Sequence, residues 1–245
     1  MIRLEVCVDS AVSAVHAERG GAYRVELCDN LYEGGTTPSA GCIEAVRDSM
    51  SLGLQVIIRP RGGDFLYDAY EFAAMKRDVR EAKKRKADGV VIGILTPAGQ
   101  VDLKRTEELI ELARPLNVTF HRAFDMTADP LRALDDLMIL GIDRVLTSGQ
   151  QARAIDGTEL IQALVQRSAG QISIMPGGGI NKENITEIIR QTGVNECHVS
   201  ARKSVDSAME YRNLHIHMGQ PGLAEYERRI TDPERIRTMV QLINP

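Results

Sequence analysis

The chain has 245 residues, 43% of them hydrophobic, with a formal net charge of −4 and a pI near 5.8. That length supports one large core or two small ones with no linker between them, and the near-balanced charge gives no electrostatic reason to expect nucleic acid or an anionic membrane as partner. No run approaches the roughly eighteen uncharged apolar residues of a membrane span, Arg3 and Glu5 interrupt any signal-peptide core, and four cysteines with no CxxC pair fit a reduced, cytoplasmic setting.

The first predicted strand, Leu4–Asp9, reads LEVCVD and is echoed by VELCD at Val25–Asp29. Side chains at i and i+2 of a strand share a face, so Glu5 with Cys7, and Glu26 with Cys28, point one way, while Leu4, Val6, Val25 and Leu27 point the other. Between the copies, Ser10 caps a helix that carries Ala14, Val15 and Ala17 inward and stops at Gly20-Gly21. A loop over Asn30–Pro38 leads to a helix from Ser39 to Met50, then a strand at Gln55–Ile58 that runs into Arg59-Pro60-Arg61-Gly62-Gly63.

The alternation continues with a helix over about Tyr70–Lys86 and a strand at Gly89–Ile94. A helix over Asp102–Arg114, a strand at Asn117–His121 and a helix over Asp129–Leu140 follow, the last with Pro130 at its first position. Strand six is Arg144–Thr147, helix six Gly157–Ser168, strand seven Gln171–Met175, helix seven Lys182–Thr192 and strand eight Glu196–Ser200. Eight strands in strict alternation with helices predict an α/β fold, a single (β/α)8 TIM barrel domain spanning 1–245 with a C-terminal extension. An open doubly wound sheet is the other arrangement with this rhythm, but no first-turn G-x-G-x-x-G appears. Residues 202–231 show no periodicity and precede a last helix at about 232–243.

Sites in such barrels lie at the C-terminal ends of the strands. There the chain places Glu5, Cys7 and Asp9, then Glu26 and Cys28, Arg59 and Arg61, His121, Arg122 and Asp125, Ser148, and finally His198, Ser200 and Arg202. Cys7 and Cys28 share the polar face of adjacent strands, and two thiolates form a minimal soft site suited to Cu(I). Cys42 and Cys197 read as small buried hydrophobes. Glu5, Glu26, Arg59, His121 and His198 are candidates for catalysis if a small anionic metabolite is the ligand, although a buried ionic layer that holds the strands in register explains the glutamates equally well. Strand seven ends in Met175-Pro176-Gly177-Gly178-Gly179, and with a helix expected to begin near Asn181, Gly177, Gly178, Gly179 and Arg202 form a candidate anion site. His215-x-His217 reads as surface or interface packing.

The run LEVCVDS, RVELC, EGGTTPS, IRPRGGDF, TFHRAFD, RVLTSG, MPGGGI and HVSAR, spread over about 4–218, resembles the CutC family of copper homeostasis proteins. The resemblance implies a cytoplasmic TIM barrel, a homodimer, and Cu(I) held by the cysteines at Cys7 and Cys28. A dimer is also expected from Leu214, Ile216, Met218, Leu223 and Tyr226, apolar side chains with no periodic core face to join. The second reading is a TIM-barrel enzyme, of lyase or isomerase type, acting on a small phosphorylated or carboxylated metabolite.

Overall fold

A computed structural model describes residues 1–218 and 224–244, so Leu223 lies outside the described part. Eight parallel strands form the (β/α)8 barrel: β1 (Arg3–Val8), β2 (Arg24–Leu27), β3 (Gly53–Ile57), β4 (Gly89–Ile92), β5 (Asn117–Phe120), β6 (Arg144–Thr147), β7 (Ser173–Pro176) and β8 (Glu196–Val199). Each pairs with its sequence neighbour, β8 returns to pair with β1, and a parallel bridge between Gly177 and His198 closes the seam beside β7. Helices cover the outer face of the sheet, and the strands alternate, as in RLEVCV and RVEL, because their other face lines a polar barrel interior.

The helices α1 (Ala11–Gly20), α2 (Ala40–Ser49), α3 (Ala69–Lys84), α4 (Leu103–Ala113), α5 (Pro130–Ile139), α6 (Thr158–Ser168), α7 (Ile185–Thr192) and α8 (Pro233–Ile243) form the outer ring. Their starts are chemically marked. The Ser10, Ser39, Asp102 and Asp232 side chains accept first-turn N–H groups, Asp68 does so within a full capping box with Glu71, and Asp129 caps the turn that opens with Pro130. None of the described helices is long and apolar enough to cross a membrane.

Two apolar clusters result. The large one fills the space between strands and helices, with Val6, Leu27, Val56, Ile92, Phe120 and Val145 pointing out from the sheet. A small one lies inside the barrel and holds Cys7, Cys28, Ile57 and Val91, with Leu31 packed against it. Below that inner cluster the axis is ionic. Arg24 donates to both Glu5 and Glu196, the latter at 2.5 Å, and Arg144 grips Glu196 from the other side while its Nη1 donates to Thr119 at 3.2 Å. Gly53 and Gly89 make room for this layer, since a Cβ on Gly89 would fall 1.9 Å from Gln55 Oε1.

Three elements depart from the sequence reading. The inward stripe of α1 is Ser13, Ala14, Ala17 and Gly20, with Val15 only half-buried, because α8 packs so closely that a Cβ at Gly20 would lie 2.6 Å from the Ile236 Cβ. Helix α7 starts at Ile185 rather than near Asn181, with Asn181 and Asn184 bonding the intervening turn. The aperiodic region is bounded by a hairpin, β9 (Arg202–Asp206) pairing antiparallel with β10 (Glu227–Thr231), whose charged residues hide the strand signal.

Candidate metal centre at the barrel mouth

Strand register brings the first group of side chains together. Cys7 pairs with Glu26 across β1 and β2, Glu5 pairs with His198 across β1 and β8, and Cys28 follows β2 by one residue on the Glu26 face. The two sulfurs lie 3.6 Å apart, Cys28 Sγ is 3.5 Å from Glu26 Oε2, and His198 Nε2 is 3.6 Å from the same oxygen. Ligand atoms of Cys7, Glu26 and His198 all fall within 4.8 Å of one another, the arrangement a metal ion needs. His198 Nδ1 meets Glu5 Oε1 at 2.7 Å. A carboxylate on Nδ1 fixes the ring and leaves Nε2 beside Cys7 and Glu26, as carboxylate–histidine pairs do behind metal sites.

The charges of this group are set by one another. The Cys28 thiol, hydrogen-bonded to Cys7, holds the Cys7 thiol down at about 5 against the opposing effect of burial, with His198 helping. Cys28 is pushed well above its ordinary value by the same contact and by burial. Burial disfavours imidazolium at His198, but its bonds to Cys7 and Glu5 raise it well above the usual histidine range. Burial likewise works against the Glu5 carboxylate, and Arg24 followed by His198 overcomes it, holding Glu5 well below the ordinary range. Glu26, desolvated and next to the Cys7 charge, is raised to about 8 despite His198. At neutral pH the group therefore carries one thiolate, one thiol, one imidazolium, one carboxylate and one neutral carboxyl.

One consequence can be measured on the free protein. Iodoacetamide reacts with thiolate, so Cys7 is expected to be alkylated throughout the neutral range, with the rate lost only as pH falls through about 5, while Cys28 stays unmodified. Peptide mapping by mass spectrometry across pH gives the profile. A Cys7 midpoint near the ordinary thiol value of 9.0 would contradict the charge assignment.

The group opens onto a cavity of about 480 Å³, whose other walls include Arg59, Phe65, His121, Arg122, Gly178 and Gly179. Of the residues expected at the mouth, Cys7, Glu26, Arg59, His121 and His198 line this space, Cys28 lies beneath it against Cys7, and Glu5 sits lower still as the support of His198. Arg61 is not part of it. Its guanidinium is held by Glu71 at 2.5 Å and Asp64 at 3.0 Å on the outside of the β3 loop. Arg202 also stands apart, 4.0 Å from Asp9 and lining a separate crevice with Asn181, Lys182 and Arg235. Gly178 and Gly179 both stand at positive φ, the backbone conformation that favours glycine, and lie against the Arg122 and Arg153 side chains. His215 and His217 lie in the exposed stretch before residue 219.

A buried ionic layer around the glutamates was among the expectations, but its members Arg24, Arg144 and Glu196 were not. Arg24 has the same i, i+2 spacing to Glu26 and Cys28 that marked those two, and Glu196 stands in the same relation to His198. That alternation was the available signal. Gly93 was also missed. A Cβ there would fall 2.3 Å from the His121 ring, so the bare backbone of the strand-four end seats that ring.

The profile of the CutC family matches residues 2–203. The chain is 50% identical over 237 residues to the copper homeostasis protein cutC homolog of Mus musculus, with 96% of this chain and 87% of that protein covered, and 49% identical over the same span to the Homo sapiens homolog. A crystal structure from Streptococcus agalactiae, described as that of a CutC protein, superposes with a TM-score of 0.78 at 36% identity, covering 82% of this chain and 99% of the other. Thiamine phosphate pyrophosphorylase of Pyrococcus furiosus matches at a TM-score of 0.62 and 18% identity, a likeness of fold alone.

Proposed function

The chain belongs to the CutC family, and from that premise we propose that it is a cytoplasmic copper-homeostasis protein that holds one Cu(I) ion between Cys7 and Cys28. The observation that carries this reading is the 3.6 Å separation of two free, buried sulfurs. Metal–sulfur bonds of about 2.3 Å, the length known for zinc, reach across such a gap easily, whereas a straight S–metal–S line would need about 4.6 Å. A third donor is therefore called for, and the candidates beside the Cys7 sulfur are Glu26 and His198, the latter aimed by Glu5. Thiolates favour soft Cu(I) over hard cations. A negative thiolate at Cys7 prepares the site for a cation, and Glu26, neutral at pH 7, gives up its proton if it joins the ligand set.

The test is competition against a chromogenic Cu(I) chelator under reducing, anaerobic conditions. One equivalent per chain supports the reading, and uptake no greater than that of a protein lacking paired cysteines sinks it.

We also propose that the protein is a homodimer. Tyr211, Leu214 and Met218 are 77%, 72% and 85% exposed in the segment between β9 and β10, which leaves apolar surface that a second chain would remove from water. Light scattering at micromolar concentration should return twice the 27.0 kDa chain mass. A single-chain mass there would count against the dimer.

A further inference from the structure

The part of the cavity lining made by Arg59, Phe65 and His121 has a polar arrangement that metal binding does not use. Arg59 is 5% exposed. A guanidinium has five N–H donors, and three are spent on backbone carbonyls: Nη1 donates to Glu33 O at 2.7 Å and Gly35 O at 2.8 Å, and Nη2 to Gly63 O at 2.8 Å. Its Nε is buried and without a partner. Among the described residues no carboxylate forms a salt bridge with Arg59. A full positive charge thus rests against neutral groups only: those carbonyls, the Tyr67 hydroxyl and the face of Phe65, whose centroid is 5.1 Å from the guanidinium carbon.

His121 sits on the same aromatic ring, its centroid 5.0 Å from that of Phe65. Its Nδ1 accepts the Ala123 N–H at 3.1 Å, so in the neutral imidazole the proton is on Nε2, and that buried donor also has no partner. Burial and the nearby Arg59 charge keep this ring neutral, its pKa lowered to about 3. Buried donors and buried charges left unmatched are costly, and two beside one cavity describe half of a recognition site.

We propose that the mouth cavity binds a small carboxylic acid, with its carboxylate against Arg59 and the His121 Nε2–H and its other end facing Cys7, Glu26 and His198. A carboxylate matches the free donors in charge and in being an acceptor only. Of the other cations on the cavity wall, Arg122 is paired with Asp125 at 2.7 Å and His198 with Glu5 at 2.7 Å, so among the described residues Arg59 is the wall cation left without a carboxylate partner, suited to a monoanion rather than to a phosphate dianion. The cavity volume of about 480 Å³ lies in the range typical of small-molecule sites.

Cys7, which lines the same cavity, gives the site its own reporter. Iodoacetate is a small carboxylate that alkylates thiolates, and iodoacetamide is its neutral counterpart. With metal-free wild-type protein, iodoacetate is expected to modify Cys7 with a rate that saturates with reagent concentration. Its efficiency should exceed that of iodoacetamide about ten- to a hundred-fold, the range of one charge-assisted contact. Acetate should protect competitively, and inorganic phosphate at the same concentration should protect less. Arg59→Gln should abolish both saturation and preference. If that variant fails to fold, the reagent comparison and acetate protection in the wild type decide alone. Iodoacetate reacting no faster than iodoacetamide and without saturation overturns the site, as does an undiminished preference in folded Arg59→Gln. Phosphate protecting as well as acetate overturns the assignment to carboxylates. Because no copper is present, these outcomes are independent of whether Cu(I) binds.

Discussion

Serine at Cys7 or at Cys28 is expected to abolish stoichiometric Cu(I) binding, a loss well beyond a hundred-fold. Each substitution removes one of only two thiolates within reach, and a hydroxyl neither ionises in the accessible range nor offers the soft donor that Cu(I) favours. The rest of the site ranks below them. Glu5→Gln leaves every candidate ligand in place but weakens the hold on His198, so its effect should fall in the about 10–100-fold range of outer-shell changes. Cys197, buried in the outer core, and Cys42, on α2, should be silent when replaced by serine as far as copper is concerned. Competition with a Cu(I) chelator on the five variants gives the ranking. Retained stoichiometric binding in both Cys7→Ser and Cys28→Ser would move the metal away from this pair.

The largest stability change is expected from Arg24→Met. Arg24 is the shared cation of Glu5 and Glu196, all three are buried, and removing it leaves Glu5 with His198 alone and strips Glu196 of one of its two buried arginines, Arg144 being the other. Breaking a buried ion pair in this way costs about 3–5 kcal/mol, which for a chain of this size is a fall of roughly 6–20 °C in Tm. Neutralising the stranded acids should restore much of it, so Arg24→Met with Glu5→Gln and Glu196→Gln is expected to melt above Arg24→Met alone. The network also sets the acid limit. Burial raises the Glu196 carboxyl, and Arg144 and Arg24 more than reverse this, leaving it below its ordinary 4.5. Its contribution is therefore present above that value and is lost as pH falls below it. Calorimetry of the three proteins at neutral pH and at pH 4 tests both statements, and a Tm for Arg24→Met within about 2 °C of wild type would show that the layer contributes little.

The barrel was legible because its signals are local. Runs such as VVIG and RVLT mark buried parallel strands, and Ser10, Ser39, Asp102 and Asp129 mark helix starts within a residue or two. The juxtaposition of Cys7 and Cys28 was legible for the same reason, since period-two spacing on two adjacent strands fixes which face each thiol shares. What escaped depends on distant or backbone partners. Arg24 finds Glu196 across 172 positions of sequence, and no local pattern announces the pairing. Arg59 reads as an anion-binding arginine in either case; only the fold shows that its hydrogen bonds go to loop carbonyls and that its charge stays unmatched. Arg61, two residues on and chemically identical, is consumed by Glu71 instead. The late start of α7 was missed because Asn181 and Asn184 cap a turn as readily as a helix, and β9 and β10 were missed because a solvent-facing hairpin needs no hydrophobic alternation.

The separation of the inner cluster of Cys7, Cys28, Ile57 and Val91 from the outer apolar shell bears on how such a chain can change over generations. The shell is by far the larger cluster, and none of Cys7, Cys28, Ile57 and Val91 belongs to it. A substitution at Ile57 or Val91 reshapes the lumen without loosening a helix, so selection can retune ligand preference while the scaffold stays above its stability threshold. The lumen is in this sense a mutable cartridge inside a fixed casing. A laboratory library confined to those two positions should yield a far higher share of folded members than one of equal size confined to Leu54 and Val56 on the same strand.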